Sequence, residues 1–203
     1  MTCLYIYRMT SDTGFAPCAE KGLLTLACCK GGQMRGDKVI NTGLRHRIGI
    51  KRDADYTSDD VYILGTYENK LLYIARITDV VTMEEYFSGM SKGRTDDIYS
   101  LKNGKLVRND KLRVKDVGED IHTDPGRVIR DIAGQYVLIS DDYIYLGKDA
   151  VYVDIVAGHN AKFQETKMYK GKTADAIIKE CLKYRNEDKH EPTSPFKRKG
   201  GCR

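Results

Sequence analysis

Hydrophobic positions fall in short runs separated by glycine, asparagine and aspartate, a spacing that predicts strands joined by turns rather than long helices. Leu4-Tyr5-Ile6-Tyr7 runs into Ser11-Asp12-Thr13-Gly14 and predicts a strand closed by a turn. Leu23-Leu24-Thr25-Leu26-Ala27 forms a second run before Gly31-Gly32, and Val39-Ile40 a short third strand after Gly36-Asp37. Val61-Tyr62-Ile63-Leu64 and Leu71-Leu72-Tyr73-Ile74-Ala75-Arg76-Ile77 flank Glu68-Asn69-Lys70, which is hairpin chemistry, and this pair is expected in the central sheet. Tyr136-Val137-Leu138-Ile139-Ser140 and Tyr143-Ile144-Tyr145-Leu146 flank Asp141-Asp142 and read as another hairpin. Val151-Tyr152-Val153-Asp154-Ile155 alternates at period two and reads as one more strand.

Two segments switch to helical signals. Thr82-Met83-Glu84-Glu85 carries a capping box that opens a short helix through Phe87, with Gly89 expected to end it. Thr173 can cap a C-terminal helix whose apolar face is Ala174, Ile177, Ile178, Cys181 and Leu182. The expected fold class is therefore α+β: β-rich, with a mostly antiparallel sheet or a partly closed barrel, a short mid-chain helix and a C-terminal helix. Residues 1–185 read as one domain and residues 186–203, rich in charge, proline and glycine, as a disordered basic tail.

Composition narrows the function classes. Hydrophobic residues are 41% and charged residues 31%, enough apolar content for a core, and no uninterrupted apolar run has the length of a membrane span. A cytoplasmic protein without membrane contact is expected; the oligomeric state is left open. The six cysteines show no Cys-x-x-Cys pair and the four histidines no ligand spacing, so reduced thiols, no bound metal and no cofactor are expected. The net charge is +5, but the tail holds five of the cations against three acids, which leaves the body too weakly basic for bulk capture of a polyanion. A local site for one or a few phosphates fits that balance.

Candidate chemistry gathers at strand ends. Asp12-Thr13-Gly14-Phe15-Ala16-Pro17 is either a connection with Phe15 plugging the core, or a site where Phe15 stacks on a base and Asp12 accepts from its edge. Lys30 and Arg35 lie on either side of Gly31-Gly32, where backbone N–H groups and two cations could receive a phosphate; the P-loop order is absent. Gly36-Asp37 reads as the turn into the next strand. Arg45-His46-Arg47 with Lys51-Arg52 is the densest basic run, read as a solvated loop or a flexible arm over phosphates. Thr95-Asp96-Asp97-Ile98-Tyr99 places two carboxylates in sequence, of which only one can face a given pocket, and His122 with Asp124 could form a base and its orienting partner.

Together, Asp12 to Pro17, Thr25 to Lys30, Gly36 to Gly43, Arg76 to Phe87, Thr95 to Tyr99 and Val137 to Gly147 resemble the nucleotide modification associated domain 2 family. The resemblance implies a bacterial or bacteriophage setting in which modified nucleobases are made or handled. It marks Asp12, Gly14, Phe15, Pro17, Thr25, Cys29, Lys30, Arg35, Asp37, Gly43, Asp97 and Tyr99 as matching the family pattern; the candidates for nucleotide binding are Asp12, Phe15, Lys30, Arg35, Asp37 and Tyr99, and those for catalysis Asp97, His122 and Cys29. The strand-to-capped-helix unit is also similar to small barrels that cradle a flipped base. Three readings follow: a module that binds a nucleotide or modified base in nucleic acid, an enzyme acting on a nucleotide or base, or a phage protein that inhibits a host factor by contact.

Overall fold

The computed structural model describes residues 1–35, 38–53, 60–109, 125–162 and 165–187. The chain is α+β with mixed, mostly antiparallel sheets, and among the described residues none of these sheets closes into a barrel. The described residues contain no helix long and apolar enough to cross a membrane. They divide into two compact units, each assembled from segments distant in sequence.

Unit 1 draws on residues 1–13, 60–78 and 140–187. Its five-stranded sheet has the order β12 (Asp142–Tyr145), β7 (Lys70–Arg76), β6 (Val61–Tyr67), β1 (Cys3–Arg8), β13 (Thr166–Lys170). Only the β1–β6 pairing is parallel, with Tyr5 opposite Ile63. The period-two alternation puts Leu4, Ile6, Leu64, Ile74 and Ile144 in one core cluster, where they meet Val156 of α4 (Asp154–His159) and Ala174, Ile177, Ile178 and Cys181 of α5 (Gly171–Cys181). The β6–β7 turn takes left-handed conformations at Glu68 and Asn69, with φ of 50° and 62°, as a two-residue hairpin with the twist of its strands requires.

Unit 2 draws on residues 14–53 and 79–139. A four-stranded sheet runs β2 (Cys18–Glu20), β3 (Leu23–Leu26), β11 (Tyr136–Ser140), β8 (Asp79–Thr82), and two separate ribbons pair β4 (Gly32–Arg35) with β5 (Lys38–Thr42) and β9 (Tyr99–Lys102) with β10 (Lys105–Arg108). The core holds Phe15, Cys28, Met83, Val137 and Ile139, with an edge-on aromatic chain in which Tyr86–Phe87 and Phe87–Tyr99 centroids lie 5.1 and 5.2 Å apart. The capping box forms as expected: the Thr82 hydroxyl accepts from Glu85 N–H at 3.2 Å, and the Glu85 carboxylate accepts from Thr82 N–H at 2.7 Å. The helix it opens, α2 (Met83–Glu85), continues as a π-helical turn over Tyr86–Met90, past Gly89.

Several expectations are corrected. β11 and β12 do not form a hairpin, because β11 pairs with β8 and β12 with β7. Val151 makes only an isolated bridge to Leu71, and the segment that follows is the helix α4, so its alternation reflects no strand. The C-terminal helix starts at Gly171, with Lys170 rather than Thr173 at the cap position. The basic run lies in a helix, α1 (Leu44–Asp53), not in a solvated loop or a flexible arm, and a further helix, α3 (Pro125–Ile132), has no counterpart among the expected elements.

Candidate functional site

The most constrained backbone of unit 2 follows β3. Cys28 is fully buried, and the next two residues, Cys29 and Lys30, both adopt left-handed conformations with φ of 59° and 51°. Each such non-glycine residue costs about 1–2 kcal/mol. Gly31 then passes so close to α3 that a Cβ there would lie 1.9 Å from the Arg130 carbonyl oxygen, which leaves glycine as the residue that fits.

Three groups hold this turn. The Asp131 carboxylate, buried at the end of α3, accepts from the Cys29 N–H at 2.8 Å and from the Tyr99 hydroxyl at 2.9 Å. Arg45, fully buried on α1, donates through Nε to the Cys29 carbonyl at 2.7 Å, through Nη1 to the Tyr136 carbonyl at 2.6 Å, and through Nη2 to the Asp131 carbonyl. The start of α1 completes the frame, the Arg45 N–H donating to the Lys30 carbonyl at 3.3 Å and the Gly43 N–H to the Gly31 carbonyl at 3.2 Å. Arg45 is therefore neither in a solvated loop nor on a mobile arm; its guanidinium is a structural fork that only arginine supplies.

Burial, then the neighbouring Asp131 charge, push the Tyr99 phenol up, which keeps it a donor to that carboxylate. The same two causes push the Cys28 thiol up, so it stays protonated. Directly across the β9–β10 ribbon from Tyr99, Arg108 keeps its Nη1 buried without a hydrogen-bond partner among the described residues. A buried donor left unpaired costs about 1–3 kcal/mol unless something else supplies the acceptor.

A second polar cluster of unit 2 is closed on itself. Asp96 is fully buried and accepts from the Thr25 hydroxyl at 2.6 Å and the Tyr86 hydroxyl at 2.9 Å. Arg94 Nε lies 3.4 Å from Asp96 while its other nitrogens donate to the Glu20, Cys18 and Leu23 carbonyls. Burial pushes the Asp96 carboxyl up by more than Thr25, Arg94 and Tyr86 pull it down.

The sequence candidates separate accordingly. Cys29, Lys30 and Tyr99 meet at the clamped turn, with the Cys29 and Lys30 side chains partly exposed and Tyr99 buried. Arg35 is exposed at the end of β4, the strand that leads out of the turn. Phe15 is 1% exposed inside the apolar core, so its ring presents no open face. Asp97 accepts from the Ser91 hydroxyl at 2.6 Å, and it is its neighbour Asp96 that enters the buried cluster. Asp12 belongs to unit 1, where it is buried and accepts from the Tyr145 hydroxyl at 2.8 Å through both carboxylate oxygens. There Tyr145 and Gly65 both stand opposite Tyr73 in the sheet register, and the glycine leaves room for the Tyr73 ring, whose hydroxyl bonds that of Tyr7. Asp37 and His122 lie outside the described residues.

Asp131 and Arg45 were not among the sequence candidates. Arg45 was submerged in a basic run, though the Gly43-Leu44 lead-in and the apolar spacing Leu44, Ile48 were a helical signal that placed it on the buried side. Asp131 had no comparable signal, since only the fold brings it to a turn 102 residues earlier. Among the described residues no cluster of three or more His, Cys, Asp or Glu side chains could hold a metal ion. Neither a curated protein nor a solved structure matches the chain. A family model does match, over residues 1–199, and on that match the chain belongs to the nucleotide modification associated domain 2 family.

Proposed function

We propose that this chain recognises a nucleotide or a modified nucleobase, with the Cys29–Gly32 turn of unit 2 as the point of contact. Family membership ties it to nucleotide modification. The observation that carries the finer reading is the turn itself: two successive non-glycine residues held left-handed by a buried carboxylate and a buried guanidinium. Local strain of that kind persists where the surroundings over-determine it, and it concentrates at binding and catalytic sites.

The chemistry around the turn suits a phosphate ester of a base. Lys30 stands at the turn, Arg35 follows on β4, and Arg130 is exposed on α3, which packs beside β4. Arg108 Nη1, without a partner among the described residues, supplies a donor close to Tyr99. The Asp131 carboxylate is engaged by the Cys29 N–H and the Tyr99 hydroxyl, and a cluster of cations and donors around it favours an anion over a cation or an apolar ligand.

The test is a thermal-shift and anisotropy panel of deoxynucleoside monophosphates and short oligonucleotides, canonical and base-modified. A ligand present at 100 times its dissociation constant should stabilise the fold by about 2.7 kcal/mol. Lys30→Ala should weaken every responding ligand. No response to any free or polymeric nucleotide would contradict the reading.

A further inference from the structure

We infer that the β4–β5 ribbon is a groove-reading element for double-stranded nucleic acid; the inference rests on the proposed nucleotide recognition and deepens it by naming a duplex as the partner. β4 and β5 pair only with each other among the described strands, so the ribbon joins no larger sheet. At its end Arg35 stands directly opposite Lys38, both exposed. Like charges directly opposed across a ribbon are destabilising, and neither cation is paired with a described carboxylate. A partner that brings phosphates removes that repulsion.

The rest of the ribbon has the side chains that read base edges. Gln33 stands opposite Asn41, both exposed amides, and Ile40 is 60% exposed beside them at an irregularity in the register. A duplex major groove admits a two-stranded ribbon, amides pair bidentately with adenine, arginine pairs with guanine, and apolar groups meet the thymine methyl. Single-strand binders rely instead on aromatic stacking, and neither strand, Gly-Gln-Met-Arg nor Lys-Val-Ile-Asn-Thr, carries an aromatic residue. Free nucleotides are held in concave sites, whereas these side chains stand exposed on a ribbon.

The experiment compares the full-length chain with Arg35→Ala/Lys38→Ala and with Gln33→Ala/Asn41→Ala. Each is titrated against a 20-base-pair duplex of mixed sequence, the matching single strand, and a deoxynucleoside monophosphate. The duplex should bind at least tenfold more tightly than the single strand. Loss of the two cations should weaken duplex binding tenfold or more and reduce the slope of log K against log salt by about 2, because each phosphate contact contributes about one. Loss of the two amides should leave that slope unchanged and flatten affinity differences among duplexes of different sequence. All four substituted positions are exposed, so neither free variant should melt below the parent. Equal affinity for duplex and single strand, or duplex binding indifferent to Arg35 and Lys38, would overturn the inference while leaving a Lys30-dependent monophosphate response to stand. Duplex binding that needs the ribbon but not Lys30 would support the ribbon and remove the turn as the contact point.

Discussion

The N–H of Cys29 donates to the carboxylate of Asp131 at 2.8 Å, tying a left-handed turn to the end of a helix 102 residues further along the chain. The same carboxylate holds the Tyr99 hydroxyl at 2.9 Å. Asp131→Ala removes the acceptor of the part-buried Cys29 N–H and of the buried Tyr99 phenol, the buried group alone costing about 1–3 kcal/mol. Asp131→Asn keeps one acceptor and should cost clearly less. Urea unfolding of both variants measures the difference; equal small losses would mean that the carboxylate does not hold the turn.

Arg45 makes three hydrogen bonds to backbone carbonyls from a fully buried position. Arg45→Ala should destabilise by about 1–3 kcal/mol for each carbonyl left unpaired. Arg45→Lys should recover little, since an ammonium cannot reproduce the planar fork. Full rescue by lysine in a thermal melt would show that charge, not geometry, matters there.

The strain at Lys30 separates stability from function. Lys30→Gly removes the left-handed penalty and should raise stability by about 1 kcal/mol while abolishing the cation at the turn. Stability that rises as nucleotide affinity falls is the expected pair of outcomes. A variant that gains stability and binds unchanged would take Lys30 out of the site.

Asp96 gives the fold a pH signature. Its carboxyl is raised in the folded state, chiefly by burial, so the folded protein holds that proton more tightly than the unfolded chain. Its contribution to stability is fully present below the unfolded carboxylate pKa and is lost as pH rises through the higher folded one. The stability difference between the parent and Asp96→Asn should therefore shift against the parent as pH rises from about 4. A difference that is flat across that window would mean the carboxyl titrates normally.

Much of this architecture was legible in the sequence, and the failures have physical reasons. The β6–β7 hairpin and the Thr82–Glu85 capping box are local devices, fixed by residues within a few positions of each other, and both formed as read. The adjacent runs around Asp141-Asp142 looked like a hairpin, yet their strands belong to different sheets, because pairing is decided by partners such as Val81 and Ala75 far away in sequence. Cys28 and Cys29 differ in exposure because β3 ends at Leu26 and the chain turns left-handed at Cys29. At the candidate site, Lys30 was singled out by the glycines beside it and Cys29 and Tyr99 by the family resemblance, whereas Asp131 emerges only once α3 is packed beside the turn.

The thiols offer a direct check of that turn. Cys28 is fully buried with its thiol pushed up by burial, while Cys29 is partly exposed. Peptide-resolved alkylation should modify Cys29 under native conditions and Cys28 only on unfolding. Equal labelling of the two would mean the turn is not clamped.

The central claim, that the Cys29–Gly32 turn contacts a phosphate-bearing nucleotide ligand, is tested most directly by amide chemical-shift mapping of the full chain. The probe is the nucleotide or oligonucleotide that gives the largest thermal shift in the panel. The expected result is a set of saturable shifts at Cys29, Lys30, Gly31 and Gly32, extending along β4 to Arg35 and weakened by Lys30→Ala. Shifts confined to unit 1, for example to the roughly 270 Å³ surface groove beside Tyr62, Asp175 and Lys179, with the turn unmoved, would contradict it.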